Sequence, residues 1–141
     1  MNYFNVGVKF GGKDDMWELF SSKNCWFMGY HEGEKPKLDN QAESVKVGDI
    51  LIAKAYGSTA QTDYYIRAVG IVTNLKKPSD IPNEYKDRLG YSVIWIKYFE
   101  KLVPLSAEEY SRGGVHTYTI HLETNDKFIA KINEMMKYDF N

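Results

Sequence analysis

The side chains best suited to metal chemistry are few, and their spacing does not bring them together. The three histidines are His31, His116 and His121. His116 and His121 lie five positions apart, so on one regular strand they would point to opposite faces. Neither a Cys-x-x-Cys nor a His-Glu-x-x-His pattern is present, and spacings of that kind are typical of zinc sites. The sequence therefore predicts no metal ion and no other cofactor.

Cys25 and the pair Asp14-Asp15 could in principle support catalysis, but each has a simpler structural interpretation. Cys25 precedes an apolar, aromatic segment, where a thiol is typically a buried core residue. Adjacent helical residues point about 100° apart, so the two aspartates fit a helix N-cap better than a shared catalytic site. We therefore expect a binding protein. The disfavoured alternative, a nuclease or hydrolase acting on nucleic acid, would have to use Asp14, Asp15, Asp49, Asp63 and His31.

Aromatic residues offer a different chemistry, because they make up 15% of the chain. Rings beside loops can stack on a nucleobase, which is worth about 1–3 kcal/mol per base, and polar groups can then read the edge of a flipped base. Each ring taken singly also fits a hydrophobic core. The aromatic residues expected near loop ends are Trp26, Phe27, Tyr30, Tyr56, Tyr64 and Tyr65. The polar residues that could read a base are Lys54, Ser58, Gln61, Thr62 and Asp63.

Length and charge set the frame for these candidates. A chain of 141 residues fits one domain, which we expect to span residues 1–141. A formal net charge of -1 argues against coating nucleic acid by bulk electrostatics, so affinity would have to come from a specific pocket or from partner subunits. With one cysteine, no signal-peptide pattern and no apolar run of membrane length, a cytoplasmic protein without membrane contact is expected.

Strands are the main elements predicted to position these residues. Alternating and β-branched runs predict strands over residues 3–10, 24–28, 50–56, 64–73, 91–99 and 116–122. Helical spacing predicts a short helix from residue 16 to 20, capped by Asp14 or Asp15, and a final helix from Asp126 to Met136, capped by Asp126. Residues 31–44 are predicted to form a loop that can include a helical turn, and residues 74–90 a loop. Ser106 is predicted to cap a further helical turn. This order indicates an α+β fold with a curved or barrel-like sheet.

An ordered set of short motifs resembles one known family. The motifs are Gly11-Gly12-Lys13-Asp14-Asp15, Asn24-Cys25-Trp26, Gly29-Tyr30, Val47-Gly48-Asp49-Ile50, Ala53-Lys54-Ala55 and Ala68-Val69-Gly70-Ile71-Val72. Their order and spacing over about residues 5–74 resemble the N-terminal recognition domain of McrB-type restriction GTPases. That domain belongs with the EVE and YTH-like branches of the PUA-like superfamily. This chain departs from it at Asn24-Cys25, where the family has Gly-Ile, and it carries no GTPase module.

The resemblance implies a PUA-like curved mixed β-barrel with flanking helices, and a pocket that takes a modified, for example methylated, base of DNA or RNA. By position it implies base-binding roles for Trp26 and Tyr30, and polar contacts from Lys54, Asp14 and Asp15. Tyr56, Tyr64, Tyr65, Ser58 and Asp63 join the predicted site because of their positions near loops. A role in a restriction or host-defence system, with a separate effector subunit, is the implied context. Because folds are reused, the alternative is a domain that binds a nucleotide-like small molecule or a protein partner.

Overall fold

The computed structural model describes residues 1–11, 13–55, 63–106, 108–110 and 119–137. The strands in this part of the chain are β1 (Tyr3–Gly7), β2 (Lys9–Phe10), β3 (Asp14–Asp15), β4 (Cys25–Phe27), β5 (Ile50–Lys54), β6 (Asp63–Asn74), β7 (Gly90–Ser106) and β8 (Ile120–Glu123). The helices are α1 (Trp17–Lys23), α2 (Pro36–Glu43) and α3 (Asp126–Lys137), and a 3-10 turn spans Asn83–Tyr85.

Six strands form one mixed sheet in the order β4-β7-β6-β5-β1-β8, while β2 and β3 make a separate two-stranded hairpin. β1 and β5 pair in parallel, and the other neighbours in the sheet pair antiparallel. The sheet curls into a half-barrel flanked by the three helices. This architecture confirms the α+β fold with a curved mixed sheet predicted from the sequence.

The sheet is covered on both faces. Leu51 and Ala53 of β5 point into a hydrophobic cluster with residues of α1 and α2, whereas Ile50 and Ile52 point into a second cluster with α3. Successive residues of a strand face opposite sides, so a strand covered on both sides is buried along its whole length, as β5 is. None of the helices in the described segments has the length and hydropathy needed to cross a bilayer.

Close approach of strands fixes the edge where β4 joins the sheet. β4 pairs with the first residues of β7, and Gly90 lies opposite Phe27. A Cβ atom at Gly90 would lie 2.7 Å from the Cα of Phe27, far inside van der Waals contact. Glycine is therefore required at this position for the two strands to pair.

The structure corrects three predictions about elements. Residues 36–43 form a helix rather than a loop, and it begins with Pro36 in the first helical turn, a position that suits proline because its missing N–H has no helical partner there. β7 continues to Ser106, seven residues beyond the predicted strand end at Phe99. The side chain that caps α3 is that of Asn125, whose Oδ1 accepts a hydrogen bond from the N–H of Phe128 at 2.9 Å, not that of Asp126.

Other local predictions are confirmed. The helix predicted after the aspartate pair is α1. Its N-cap residue is Met16 rather than Asp14 or Asp15, although Asp15 Oδ1 accepts a hydrogen bond from the N–H of Trp17 at 3.0 Å. Ser106 caps the turn that follows β7, because its Oγ accepts a hydrogen bond from the N–H of Glu109 at 3.1 Å.

Candidate nucleic-acid interface

Two stretches that are distant in sequence lie side by side at the β4 edge of the sheet. One is the segment that follows β4, and the other is the end of the β6–β7 connection. The N–H of Met28 donates to the carbonyl of Leu89 at 2.8 Å, and the N–H of Glu32 donates to that of Asp87 at 3.3 Å. These bonds extend the β4–β7 pairing outward, so residues 28–32 and 87–89 form one continuous surface.

A cavity of about 340 Å³ opens between the two arms of the β6–β7 connection. Four cationic residues line it: Lys76, Lys77, Lys86 and Arg88. Apolar residues such as Leu75, Ile81 and Leu89 supply much of the remaining wall. We call this the basic cavity, and its size and lining suit an anionic group attached to a partly apolar ligand.

The cations of the basic cavity differ in how freely they can meet a ligand. Lys77 Nζ donates to the carbonyl of Lys86 at 3.3 Å and to that of Arg88, and burial lowers the pKa of its amine. Lys76 and Lys86 are exposed, although Lys86 Nζ reaches the carbonyl of Ser79 at 2.9 Å. Lys77 therefore links the two arms of the β6–β7 connection, whereas the exposed side chains of Lys76 and Lys86 can move toward a ligand.

The carboxylates near the basic cavity are already engaged. Asp80 pairs with Lys23 at 3.1 Å. Asp87 contacts Nδ1 of His31 and lies 3.3 Å from Nε of Arg88. These contacts lower the pKa of both carboxyl groups, mainly through the hydrogen bonds from Lys23 and His31. The acidic groups thus leave Lys76 and Lys86 as available positive charge.

Aromatic rings adjoin the basic cavity. The Tyr85 ring stacks on Phe27 with centroids 4.9 Å apart and planes at 30°. The Arg88 guanidinium lies 5.5 Å from the centroid of Tyr85, and its Nη1 donates to the carbonyl of Gly29 at 2.7 Å. Arg88 therefore belongs to both the basic cavity and the aromatic cluster.

Tyr30 is a second half-buried tyrosine in this region. It lies at the edge of the core. The Lys35 ammonium lies over the Tyr30 ring, 5.3 Å from its centroid. The Lys35 side chain is exposed. An exposed lysine can move aside, so the Tyr30 face can be offered to a flat ligand.

Two of the predicted cage residues lie in the core instead. Trp26 has 0% exposure, donates from its Nε1 to the carbonyl of Gly7 at 2.9 Å, and stacks on Tyr91 with centroids 5.9 Å apart. Tyr64 has 1% exposure, and its hydroxyl donates to Oδ1 of Asn5 at 2.6 Å. The two rings belong to different hydrophobic clusters on opposite faces of the sheet. In this structure they do not form a common cage, because each has its surface covered by the core.

The predicted polar contacts are also dispersed. Lys54 is buried at the end of β5 with 3% exposure, and this burial lowers the pKa of its amine to about 7. Asp14 and Asp15 are exposed on β3, where Asp15 lies opposite Lys9 of the paired strand β2. Tyr65 is half-buried on β6. The structure does not gather these residues with Tyr30 around one pocket.

Part of the predicted site falls outside the described residues. These positions are Tyr56, Ser58, Gln61 and Thr62, together with the side chain of Asp63, which begins β6. Their roles in binding a base remain predictions from the sequence.

The residues considered for catalysis serve structural contacts where they can be seen. Asp49 is buried, and its two oxygens accept hydrogen bonds from the N–H groups of Asn2 and Lys46, both at 2.9 Å. His31 lies on the surface beside Asp87. Within the described ranges, no cluster of three or more His, Cys, Asp or Glu side chains could hold a metal ion.

Sequence reasoning missed Tyr85, Arg88 and the lysines of the basic cavity, because it treated residues 74–90 as a connecting loop. The sequence carried only a weak signal for them. The connection holds four cationic residues, Lys76, Lys77, Lys86 and Arg88, but also three acidic ones, Asp80, Glu84 and Asp87. Charge alone therefore did not distinguish this segment from an ordinary surface loop.

Comparison with known proteins places the fold. No protein-family model matches the chain, and no curated protein sequence matches it. Among solved structures, the human THYN1 protein in complex with DNA containing 5-methylcytosine matches with a TM-score of 0.58 and 8% identity, covering 100% of this chain and 99% of that one. The Pho92 YTH domain in complex with m6A matches with a TM-score of 0.57 and 11% identity, covering 94% and 81%. The MmI1 YTH domain gives 0.54 and 14%, covering 98% and 99%. At these identities the likeness is one of fold, and the fold of this chain is the α+β, PUA-like fold of the YTH and THYN1 domains.

Proposed function

We propose that this protein is a non-catalytic module that binds DNA or RNA and recognises a modified base, such as a methylated one. The basic cavity beside Tyr30 and Tyr85 is the observation that carries the proposal. It combines a place for phosphate with rings for a base on a protein of near-neutral charge. The THYN1 and Pho92 structures, which contain 5-methylcytosine DNA and m6A, support the class of ligand through the shared fold.

The phosphate contacts would come from the exposed lysines of the basic cavity. Lys76 and Lys86 stand at its rim, while Lys77 and Arg88 are fixed by main-chain carbonyls. Each phosphate neutralised makes binding weaken as salt rises, with a log–log slope of about 0.7 per contact for single strands. A local site of this kind gives salt-dependent affinity without a high overall charge.

The base contact would come from the ring of Tyr30. The half-buried ring has its position fixed by the core beneath it, and displacement of the exposed Lys35 frees one face. A methylated base gains from such a face, because the added methyl group is apolar and leaves water when the base stacks. The displaced ammonium of Lys35 remains near enough to meet a phosphate.

Other parts of the predicted site remain part of the proposal. Tyr56, Ser58 and Asp63 are candidates for the base edge, and a separate effector subunit is a candidate partner. The finer resemblance to McrB-type recognition domains, and with it a role in restriction or host defence, stays a prediction that rests on the sequence motifs alone.

Fluorescence anisotropy with labelled single- and double-stranded oligonucleotides tests the phosphate contacts. Each oligonucleotide would be used unmodified and with methylated adenine or cytosine, at several salt concentrations. We expect the double variant Lys76→Gln/Lys86→Gln to lower the salt slope for single strands by about 1.4. The matched control Lys37→Gln/Lys101→Gln removes two exposed lysines elsewhere and should leave the slope unchanged. Equal slopes for both double variants would contradict the phosphate site.

The base contact has its own variants. Tyr30→Ala should weaken binding to the methylated oligonucleotide by roughly 5- to 150-fold, the equivalent of about 1–3 kcal/mol of stacking, whereas Tyr30→Phe should retain it. Tyr98→Ala, which removes an exposed tyrosine from a different cavity, is the control. Binding of no oligonucleotide by the parent protein would reject the proposal in favour of a small-molecule or protein ligand.

A further inference from the structure

A second cavity, of about 540 Å³, lies between α1 and the β6–β7 ribbon. Its lining differs from that of the basic cavity, since it consists of two carboxylates, two aromatic rings, one serine and one arginine. These residues are Asp15, Trp17, Glu18, Ser21, Arg67 and Tyr98. We call it the acidic-aromatic cavity.

The two rings of this cavity are held in place from behind. Trp17 packs edge to face on Trp95 with centroids 5.0 Å apart, and Trp95 Nε1 donates to the carbonyl of Phe20 at 3.0 Å. Tyr98 lies 6.1 Å from Trp17, with the ring planes at 38°, and is 55% exposed. The packing fixes Trp17 while Tyr98 leaves an aromatic face open to solvent, which is the arrangement a cation–π contact needs.

The charges of this cavity are not neutralised within the described part of the chain. Asp15 and Glu18 are both exposed, and neither carboxylate forms an ion pair with a described lysine, arginine or histidine. Arg67 donates from Nη1 to the carbonyl of Phe99 at 3.0 Å and also forms no such ion pair. The lining therefore carries two negative charges and one positive charge, and Glu18 is the carboxylate that lies away from Lys9, which pairs across the hairpin with Asp15.

Arg67 adds a second requirement. Its Nε is buried and has no hydrogen-bond acceptor among the described residues. A buried donor that lacks an acceptor costs free energy. A ligand that brings a carbonyl oxygen into the cavity wall would relieve this cost after a small shift of the guanidinium.

We propose that the acidic-aromatic cavity binds an arginine side chain of a partner polypeptide. The planar guanidinium of the ligand stacks on Tyr98 and pairs with Glu18 and Asp15, and a main-chain carbonyl of the same peptide accepts from Arg67. Arginine fits better than lysine, because its fork matches a carboxylate, its plane matches a ring, and it is less strongly hydrated. Nucleic acid is disfavoured here, since its phosphates would meet the two carboxylates.

NMR titration of the full chain tests this site with three small probes: the N-acetyl amides of arginine, lysine and citrulline. Citrulline keeps the shape and the carbonyl of arginine but carries no charge. We expect the indole N–H signals and the amide signals of α1 to shift with the arginine probe, more weakly with lysine, and not with citrulline. Equal shifts with citrulline and arginine would overturn the proposal.

Variants at exposed positions locate the binding. Glu18→Gln/Tyr98→Ala should weaken arginine binding by roughly 5- to 25-fold, since a surface ion pair and an exposed cation–π contact are each worth a few-fold. The matched double variant Glu43→Gln/Tyr30→Ala should bind the arginine probe as the parent does. Identical affinities of the two double variants, both folded by circular dichroism, would refute the assignment.

Separate variants test the proposed arginine site and the proposed nucleic-acid site. Lys76→Gln/Lys86→Gln should leave arginine binding unchanged, and Glu18→Gln/Tyr98→Ala should leave oligonucleotide binding unchanged. Loss of oligonucleotide binding in the Glu18→Gln/Tyr98→Ala variant would show that this cavity serves nucleic acid instead, and would overturn the proposal.

Discussion

The stability of this protein should rise with pH above neutrality through Lys54, because the native fold buries the lysine amine. Lys54 ends β5, opposite Gly7 of the parallel strand β1, and is 3% exposed. Burial lowers the pKa of its amine from 10.5 to about 7. Desolvation disfavours the charged form of a buried lysine, so folding at neutral pH either buries a charge or releases a proton.

The size of the effect follows from the difference in pKa between the two states. One pKa unit corresponds to about 1.4 kcal/mol, so the change from 10.5 to about 7 amounts to roughly 4 kcal/mol at pH 7. Between these two values the unfolded chain holds the proton and the native chain does not. Stability contributed through Lys54 therefore rises with pH across this window, by up to about 1.4 kcal/mol per pH unit.

Methionine has a similar length and no charge, so the Lys54→Met variant should lose this pH dependence. Urea unfolding at pH 7, 8 and 9 would measure the free energy of unfolding of the parent and the variant. We expect the stability of the parent relative to the variant to rise by up to about 1.4 kcal/mol for each unit of pH. Other groups that titrate in this range do so in both proteins, and the comparison cancels them.

Lys37→Met is the matched control, because Lys37 is exposed on α2. It should change the stability by no more than about 0.5 kcal/mol, and by the same amount at each pH. A gap between the parent and Lys54→Met that does not vary with pH would refute the reasoning.

Two further substitutions test the packing and the helix caps. Gly90→Ala should destabilise the protein by about 1–3 kcal/mol or more, because its Cβ would collide with the β4 backbone. Gly7→Ala is the control, because its Cβ would have no neighbour nearer than 3.8 Å. Thermal unfolding that lowers the stability of both variants equally would contradict this prediction. Asn125→Ala should cost about 1 kcal/mol, because it removes the side chain that accepts from the first turn of α3. Asp126→Ala should cost less, and the reverse order in chemical denaturation would restore the cap predicted from the sequence.

The strands could be predicted because their signal is local. The β-branched and aromatic run of β6 and the apolar run of β5 reflect the burial that each strand requires. α2 was missed for a related reason: residues 36–43 are mostly polar, since the helix buries only Asp39 and Ala42. Without an apolar stripe, the remaining sign of a helix was Pro36 at its start, and proline is equally common in loops.

The candidate site was harder to predict than the fold, because a ring near a loop end and a ring in the core have the same sequence signature. Trp26 lies in a three-residue strand that the sheet and Tyr91 cover. Tyr64 lies near the start of β6, where its hydroxyl donates a hydrogen bond to Asn5. Only tertiary packing separates these rings from Tyr30, whose ring stays at the edge of the core. Tyr85 had no periodic pattern around it to give it a place in a predicted element.

The two cavities differ in the charges that line them. The basic cavity collects four cations, whereas the acidic-aromatic cavity places Asp15 and Glu18 around Arg67. The total of -1 does not reveal this separation, because each surface has its own field, which fades within about 10 Å at 0.1 M salt. Net charge therefore carried no information about either surface. A protein with this distribution can bind an anionic and a cationic partner at the same time, provided that each ligand meets the surface of opposite sign.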